Sequence, residues 1–92
     1  MTSHTTPRFR KAYEGLSPTV QALARKAFRL WKENPQHPSL HFKKVGKVWS
    51  ARIDKDHRAL ADVRGAAAYW FWIGSHGEYE QLIRRQIGRA HV

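Results

Sequence analysis

The chain has 92 residues, with 17 lysines and arginines against seven aspartates and glutamates, which gives a formal net charge of +10. It contains no cysteine, which excludes a disulfide framework and thiolate chemistry. No apolar run approaches the roughly 20 residues that span a bilayer, and the N-terminal sequence lacks the apolar stretch of a signal peptide. We therefore expect one soluble, cytoplasmic domain with a single modest core and no membrane partner.

The charge balance indicates the kind of partner. A small folded domain with a net charge of +10 repels itself, and a polyanionic partner would relieve that repulsion. Nucleic acid is the first candidate, and an acidic protein is the second. A basic surface that is merely solvated is the plain alternative.

Two helices are predicted near the start of the chain, after residues 1–5, which we expect to be disordered. At residues 6–7 and 17–18 an N-cap residue, threonine or serine, directly precedes a proline, which is typical of a helix start. The first helix should cover residues 7–14. The second should end near residue 34, because Pro35 cannot continue it. Its apolar residues follow helical spacing: Val20, Leu23, Ala24, Ala27, Leu30 and Trp31.

Beyond the second helix the apolar pattern changes from helical to alternating, which predicts strands. A short strand should come first, followed by a meander whose strands are joined by tight turns, one of them at Gly65. The aromatic run YWFW in the last strand could stack bases, but most of it is expected to be a central strand buried on both faces. The predicted strands cover residues 40–44, 47–53, 57–64 and 66–73.

The last helix is predicted over residues 76–85, because Ser75 followed by Glu78 has the spacing of a capping box. The predicted fold class is therefore α+β: two N-terminal helices, a small antiparallel sheet of three to four strands, and a C-terminal helix. We expect residues 6–87 to form a single domain and residues 88–92 to be a C-terminal tail.

Basic residues gather on the predicted hairpins. Arg52 and Arg58 flank one short turn, and antiparallel pairing allows them to share a face, where a guanidinium fork matches phosphate oxygens. Lys43, Lys44 and Lys47 could extend the same positive surface. Solvated positions paired with nearby aspartates are the alternative, but with a net charge of +10 most cations cannot be paired within the chain. We favour phosphate contact for at least one of the two arginines.

His76 lies where the last strand opens into the last helix. A helix N-terminus attracts anions, and a charged imidazole at that place is suited to donating a proton. Tyr79, one turn further on, offers a ring for base stacking and a hydroxyl for positioning a phosphate. The alternative is a surface histidine beside a tyrosine that completes the core.

Two other patterns are weaker. His37 and His41 have the spacing of a helical zinc pair, but Pro38 forbids the helix that this spacing needs, so no metal site is predicted. The two N-terminal helices could form a helix-turn-helix motif. The apolar stripe of the second helix, however, is typical of a helix buried in a core.

Two segments resemble the RelE/ParE superfamily of bacterial type II toxins. VWSARIDKDHRALADV, at residues 48–63, is similar to the strand–turn–strand signature of YoeB-like and RelE-like members. WIGSHGEYEQLI, at residues 72–83, is similar to the family's closing strand, after which a histidine and an aromatic residue complete the active site. The resemblance covers about residues 7–85 and includes the order of helices and strands.

The resemblance implies a ribosome-dependent mRNA endonuclease that uses no metal or other cofactor and is neutralised by a cognate antitoxin. A 2′-hydroxyl would attack the adjacent phosphate, which requires a base, an acid and cations for the phosphorane charge. By this resemblance Arg58 would stabilise the phosphorane, Arg52 would hold substrate phosphate, and His76 would be the general acid. Tyr79 would orient or stack the RNA.

The sequence departs from the family pattern before the first long strand. Residues 37–47 contain no acidic residue, although YoeB-like members carry a glutamate base there. Lys43, Lys44, Lys47 and His41 are the alternatives for the base.

Two further departures concern the active-site spacing and the sheet. His76 and Tyr79 are separated by two residues rather than adjacent. The N-terminal strand usual in the family is expected to be missing, which would leave a sheet edge open to an antitoxin strand or to a second copy in a homodimer.

The resemblance also allows a toxin without catalysis. ParE-type members share the fold and inhibit DNA gyrase by binding, and a non-catalytic nucleic-acid-binding relative is a third reading. The presence of His76 together with Arg58 favours the ribonuclease.

Overall fold

A computed structural model describes residues 2–87 of the chain. Among these residues no helix is both long and apolar enough to cross a membrane, and the predicted tail at 88–92 lies outside them. The elements in chain order are β1 (Thr2–Thr5), α1 (Pro7–Glu14), α2 (Pro18–Glu33), a short 3-10 turn (Pro38–Leu40), β2 (Lys43–Val45), β3 (Val48–Asp54), β4 (His57–Arg64), β5 (Ala67–Ser75) and α3 (His76–Ile87).

Both N-terminal helices begin at the residues that the sequence predicts. The Thr6 hydroxyl oxygen accepts a hydrogen bond from the Phe9 N–H at 3.2 Å, and the Ser17 hydroxyl oxygen accepts one from the Val20 N–H at 3.3 Å. Each bond satisfies a donor that the first helical turn would otherwise leave without a partner. The residue at which each helix starts is thus set by local chemistry.

The sheet has five strands in the order β1-β5-β4-β3-β2. The α+β fold class is confirmed, and β2 to β5 form the antiparallel part. The prediction that residues 1–5 are disordered is wrong for residues 2–5, as is the expected absence of an N-terminal strand. These residues form β1, which pairs in parallel with β5. Its partners are more than sixty residues away in the chain, and the Thr2 N–H also donates to the carbonyl of Ala66, just before β5, at 2.8 Å.

The strand predicted over residues 40–44 is shorter and begins later. Residues 38–40 form the 3-10 turn, and His41 follows in the left-handed region with φ of 43°. Because neither conformation is extended, pairing with β3 starts only at Lys43.

The two faces of the sheet are covered by different helices. The first face packs against α1 and α2 through a large aromatic cluster that includes Phe9, Trp31 and Trp70. The second face packs against α3 through a smaller cluster, which consists of Val48, Leu60, Trp72 and Tyr79.

A register shift in β5 puts Trp70 and Trp72 on opposite faces of the sheet. Leu60 pairs with Trp72, but the next residue of β4, Ala61, pairs with Trp70. Phe71 is therefore the extra residue of a β-bulge. The YWFW run is buried on both faces at Trp70 and Trp72, whereas Tyr69 stays 39% exposed.

Candidate active site

The start of α3 is fixed to the end of the sheet. Ser75 and Glu78 form the predicted capping box: the Glu78 N–H donates to the Ser75 hydroxyl oxygen at 3.2 Å, and the Ser75 N–H donates to the Glu78 carboxylate at 3.3 Å. The His76 N–H donates to the Asp56 carbonyl at 2.7 Å. This bond ties the first turn of α3 to the β3–β4 turn, so His76 lies at the rim of the sheet.

Arg52 and Arg58 are direct partners in the β3–β4 ladder. Directly opposed residues of antiparallel strands send their side chains to the same face. Alternation along β4 places Arg58 on the face of Leu60, which is the face that α3 covers. Two like charges at opposed positions repel each other, and an anion bound between them would remove that cost.

The Arg58 guanidinium is positioned by neutral groups. Its Nη1 donates to the Ser50 hydroxyl oxygen at 3.0 Å, and Ser50 is fully buried. The guanidinium carbon lies 5.1 Å from the centre of the Tyr79 ring, a cation–π contact. Within residues 2–87 no carboxylate forms an ion pair with Arg58. The side chain is therefore oriented while its charge remains available to an anion.

His76 contacts the same tyrosine. Its ring stacks on Tyr79 with a centroid distance of 5.8 Å, and its Nε2 lies 3.0 Å from the Glu80 Oε1. The His76 side chain is 49% exposed, whereas Tyr79 is only 8% exposed. We call Arg58, Tyr79 and His76 the rim cluster, in which Tyr79 holds the other two side chains. So little exposed ring suits orientation better than base stacking.

Glu80 and Ser50 touch the rim cluster and were not among the predicted site residues. Glu80 follows His76 by four residues, a spacing that brings side chains together on a helix, so a search for helical partners of His76 would have found it. Ser50 carries no comparable signal, because its contact with Arg58 depends on strand register.

Proteins similar to this chain are found by comparing structures. The sequence matches no protein-family model and no curated protein. A YoeB/ParE toxin from Agrobacterium tumefaciens superposes with a TM-score of 0.66 at 19% identity, covering 83% of this chain and 99% of that one. The toxin–antitoxin complex RelBE2 from Mycobacterium tuberculosis gives 0.67 at 18% identity, covering 82% and 96%. YafQ from E. coli gives 0.69 at 9% identity, covering 84% and 94%.

This chain has the RelE/ParE toxin fold. The TM-scores of 0.66 to 0.69 with these neighbours establish the fold, and identities of 9% to 19% establish nothing beyond it. The rim cluster of this RelE/ParE fold lies where β4, β5 and α3 meet.

Strand register separates the three predicted phosphate-binding lysines. Lys43 pairs with Ser50 and so lies on the face of Arg58, whereas Lys44 pairs with Trp49 and lies on the other face. Lys47 lies in the β2–β3 turn and borders a groove farther from the rim. The three lysines therefore do not form one group.

Gly74 leaves space for the indole ring of Trp72 beside the rim cluster. It is the partner of Arg58 in the β4–β5 ladder. A Cβ atom at this position would lie 2.4 Å from Cζ2 of Trp72, closer than atoms approach without a shift. The indole of Trp72 thus lies over the backbone of Gly74 and fills the space next to the arginine.

A second histidine at the rim belongs to the opposite face. His57 precedes Arg58, so its side chain points away from the rim cluster, and its Nδ1 lies 3.0 Å from the Asp54 Oδ1. Partial burial raises the pKa of Asp54, but hydrogen bonds from the Asp56 N–H and the His57 ring outweigh it and leave the pKa below its ordinary value. This pair fastens the β3–β4 turn.

Proposed function

We propose that this chain is the toxin of a type II toxin–antitoxin pair and that it cleaves mRNA on the ribosome. The observation that carries the proposal is the rim cluster. An oriented arginine without a carboxylate partner among the described residues and a half-exposed histidine both pack against one tyrosine. The RelE/ParE fold and the net charge of +10 support the same reading.

The reaction proposed for this site is attack of a 2′-hydroxyl on the adjacent phosphate. The 2′-oxygen forms a bond to phosphorus, the bond from phosphorus to the 5′-oxygen breaks, and a 2′,3′-cyclic phosphate and a 5′-hydroxyl result. Arg58 and Arg52 stabilise the negative charge of the phosphorane. His76 donates a proton to the leaving 5′-oxygen. Since Nε2 is engaged by Glu80, the proton comes from Nδ1.

The base that removes the 2′-hydroxyl proton is proposed to be Lys43. Of the sequence's alternatives, Lys44 points to the other face and Lys47 borders a different groove. His41 lies before β2 in a left-handed conformation. The choice of Lys43 is supported by its pairing with Ser50, which accepts a hydrogen bond from Arg58 and lies on the same face. A lysine acts as a base in its neutral form.

The proposed partners follow from the same reading. A cognate antitoxin would neutralise the toxin, as the neighbours solved as toxin–antitoxin complexes suggest, and the basic surface favours an acidic one. The mRNA on the ribosome would be the substrate, which implies a cytoplasmic protein. A homodimer stays a prediction.

The test is primer extension on a reporter mRNA translated by purified ribosomes. The wild type should produce new 5′-hydroxyl ends within codons, and His76→Gln should reduce their rate of appearance by about 10²- to 10⁴-fold, the usual contribution of a general acid. His37→Asn is the control, because His37 is a partly exposed histidine whose ring hydrogen-bonds Ser39 in its own turn, away from the rim cluster. It should cleave like the wild type.

Two results would change the proposal. Cleavage that survives in His76→Gln would keep the ribonuclease and move the acid to another residue. No cleavage by a folded wild type would remove the ribonuclease and favour the gyrase-binding alternative, which a DNA supercoiling assay then tests.

A further inference from the structure

A groove of about 480 Å³ opens on the same sheet face as Arg58 but farther along β4. Asp62, four residues after Arg58, faces the groove and pairs with Tyr69 of β5. At about 3.3 Å per strand residue the two sites lie about 13 Å apart. We call it the Tyr69 groove, and its lining residues are Thr6, Lys47, Val48, Asp62, Tyr69 and Phe71.

The groove combines exposed aromatic surface with a carboxylate. Tyr69 is 39% exposed, and its ring stacks on His4 at 5.0 Å, which holds it in place. Asp62 is 42% exposed, and its Oδ2 accepts from the Arg64 Nε at 3.1 Å. Asp62, Arg64 and Tyr69 also line an adjoining depression of about 390 Å³, so the surface continues beyond the groove.

Cations surround this aromatic surface. The Arg8 guanidinium carbon lies 5.7 Å from the centre of the Phe71 ring. Lys47 lines the side next to β2, and Lys43, two positions before the end of β2, leads back towards Arg58 on the same face. A path of positive charge thus joins the rim cluster to the groove.

We propose that the Tyr69 groove binds a nucleobase of the same RNA strand that the rim cluster cleaves, and that it prefers bases with an exocyclic amino group. The base would stack on Tyr69, and the Asp62 carboxylate would accept a hydrogen bond from the amino group, as acidic residues do from cytosine. Arg8 and Lys47 would contact the neighbouring phosphates. This inference rests on the proposed RNA substrate and adds to it a determinant of sequence preference.

The lining of the groove favours RNA over a protein segment. An amphipathic helix docks through a continuous apolar surface, whereas here lysine and aspartate are interleaved with the two aromatic rings. Aromatic rings amid cations match a chain of bases joined by phosphates. A stacked strand rises about 3.4 Å per nucleotide, so about four nucleotides span the distance of about 13 Å to Arg58.

The experiment is an NMR titration of the ¹⁵N-labelled full chain with octaribonucleotides of cytosine or uracil. All sugars carry a 2′-O-methyl group, which removes the nucleophile and prevents cleavage. The variants are Tyr69→Ala, Tyr69→Phe and Asp62→Asn. Leu23→Ala is the matched control, because Leu23 is also a large exposed apolar residue, at 37%, but lies on α2.

The expected result is that backbone N–H signals of both Tyr69 and Arg58 shift with the cytosine strand. Tyr69→Ala should weaken binding by about five- to a hundredfold, the effect of losing one stacked base. Tyr69→Phe and Leu23→Ala should stay within about twofold of the wild type, since neither removes a stacking ring from the groove. The preference for cytosine over uracil should disappear in Asp62→Asn.

The outcomes separate this inference from the proposed function. Shifts at Arg58 and His76 alone would overturn the groove and leave the ribonuclease standing. Shifts at Tyr69 and Asp62 alone would support the groove and count against RNA at the rim cluster. No shifts from the folded chain would overturn the base site and leave a protein as the groove's remaining occupant.

Discussion

The two faces of the sheet differ in what their side chains do. Under α1 and α2, Trp31 and Trp70 are almost completely buried and pack edge to face at 5.4 Å. Under α3 the apolar cluster is smaller, and the half-buried Arg58 and the fully buried Ser50 enter it as polar residues. The larger buried cluster therefore lies on one face, whereas the other face holds a cation that has no ion-pair partner among the described residues.

The bulge in β5 makes this separation possible within a single strand. Trp70 faces the large cluster and Trp72 the small one, and the extra residue, Phe71, offsets the pairing between them. The same strand then ends at Gly74 and Ser75, where α3 begins. One segment therefore joins the main core to the rim cluster.

The largest expected effect is on stability and comes from the face under α1 and α2. Trp70→Ala removes a fully buried indole, and the hydrogen bond that its Nε1 donates to the Ser3 hydroxyl oxygen at 3.0 Å. We expect the free energy of unfolding to fall by about 3–5 kcal/mol, measured by urea denaturation. Tyr69→Ala, at the next position of the same strand but exposed on the other face, should cost less than about 1.5 kcal/mol. Similar losses for the two variants would break the comparison between the faces.

The next effect is on activity and comes from the face under α3. Arg58→Lys keeps the positive charge but loses the planar fork that contacts Ser50 and Tyr79. We expect cleavage of translated mRNA to slow by about 10²- to 10³-fold, as when a transition-state donor is lost.

The stability of Arg58→Lys tests whether the arginine also contributes to the core. Arg58→Lys should change the urea midpoint little, and Arg29→Lys, an exposed arginine of α2, should change neither cleavage nor stability. If Arg58→Lys lowers the free energy of unfolding as much as Trp70→Ala, the arginine belongs to the core and the two faces are not functionally distinct.

Elements whose cause is local could be predicted from the sequence. The starts of α1 and α2 follow from an N-cap residue and a proline that are neighbours in the chain. β1 could not be predicted, because TSHT has no apolar alternation and the pairing that makes it a strand is with the distant β5. Its extended conformation is decided by tertiary pairing, which local propensity does not record.

The site residues likewise divide into those whose positions follow from local sequence and those whose positions depend on strand pairing. That Arg52 and Arg58 share a face follows from their positions around one short turn. That Lys43 joins them and Lys44 does not depends on the register between β2 and β3, and a slip of one residue would reverse it. The spacing of residues around the turn and along the helix therefore predicts the rim cluster. The register of strand pairing determines which lysines lie on the same face as that cluster.

The smallest expected effect concerns the Asp54–His57 pair, which lies at the rim but faces away from the rim cluster. Because the pKa of Asp54 is held below its ordinary value in the folded chain, the pair stabilises the fold above the unfolded pKa of about 4. That stabilisation is lost as the pH falls through the folded pKa. Asp54→Asn should thus cost up to about 1 kcal/mol at neutral pH and less in acid.

Urea midpoints of the wild type and Asp54→Asn at pH 7 and pH 3 check this sign. The gap between them should narrow in acid, because the stabilisation by the Asp54 carboxylate is lost as it is protonated. Cleavage by Asp54→Asn should stay within about twofold of the wild type, since the pair contributes to turn stability and not to transition-state binding. A large loss of cleavage would mean that the β3–β4 turn positions His76 through the Asp56 carbonyl, and that the two faces are coupled at the rim.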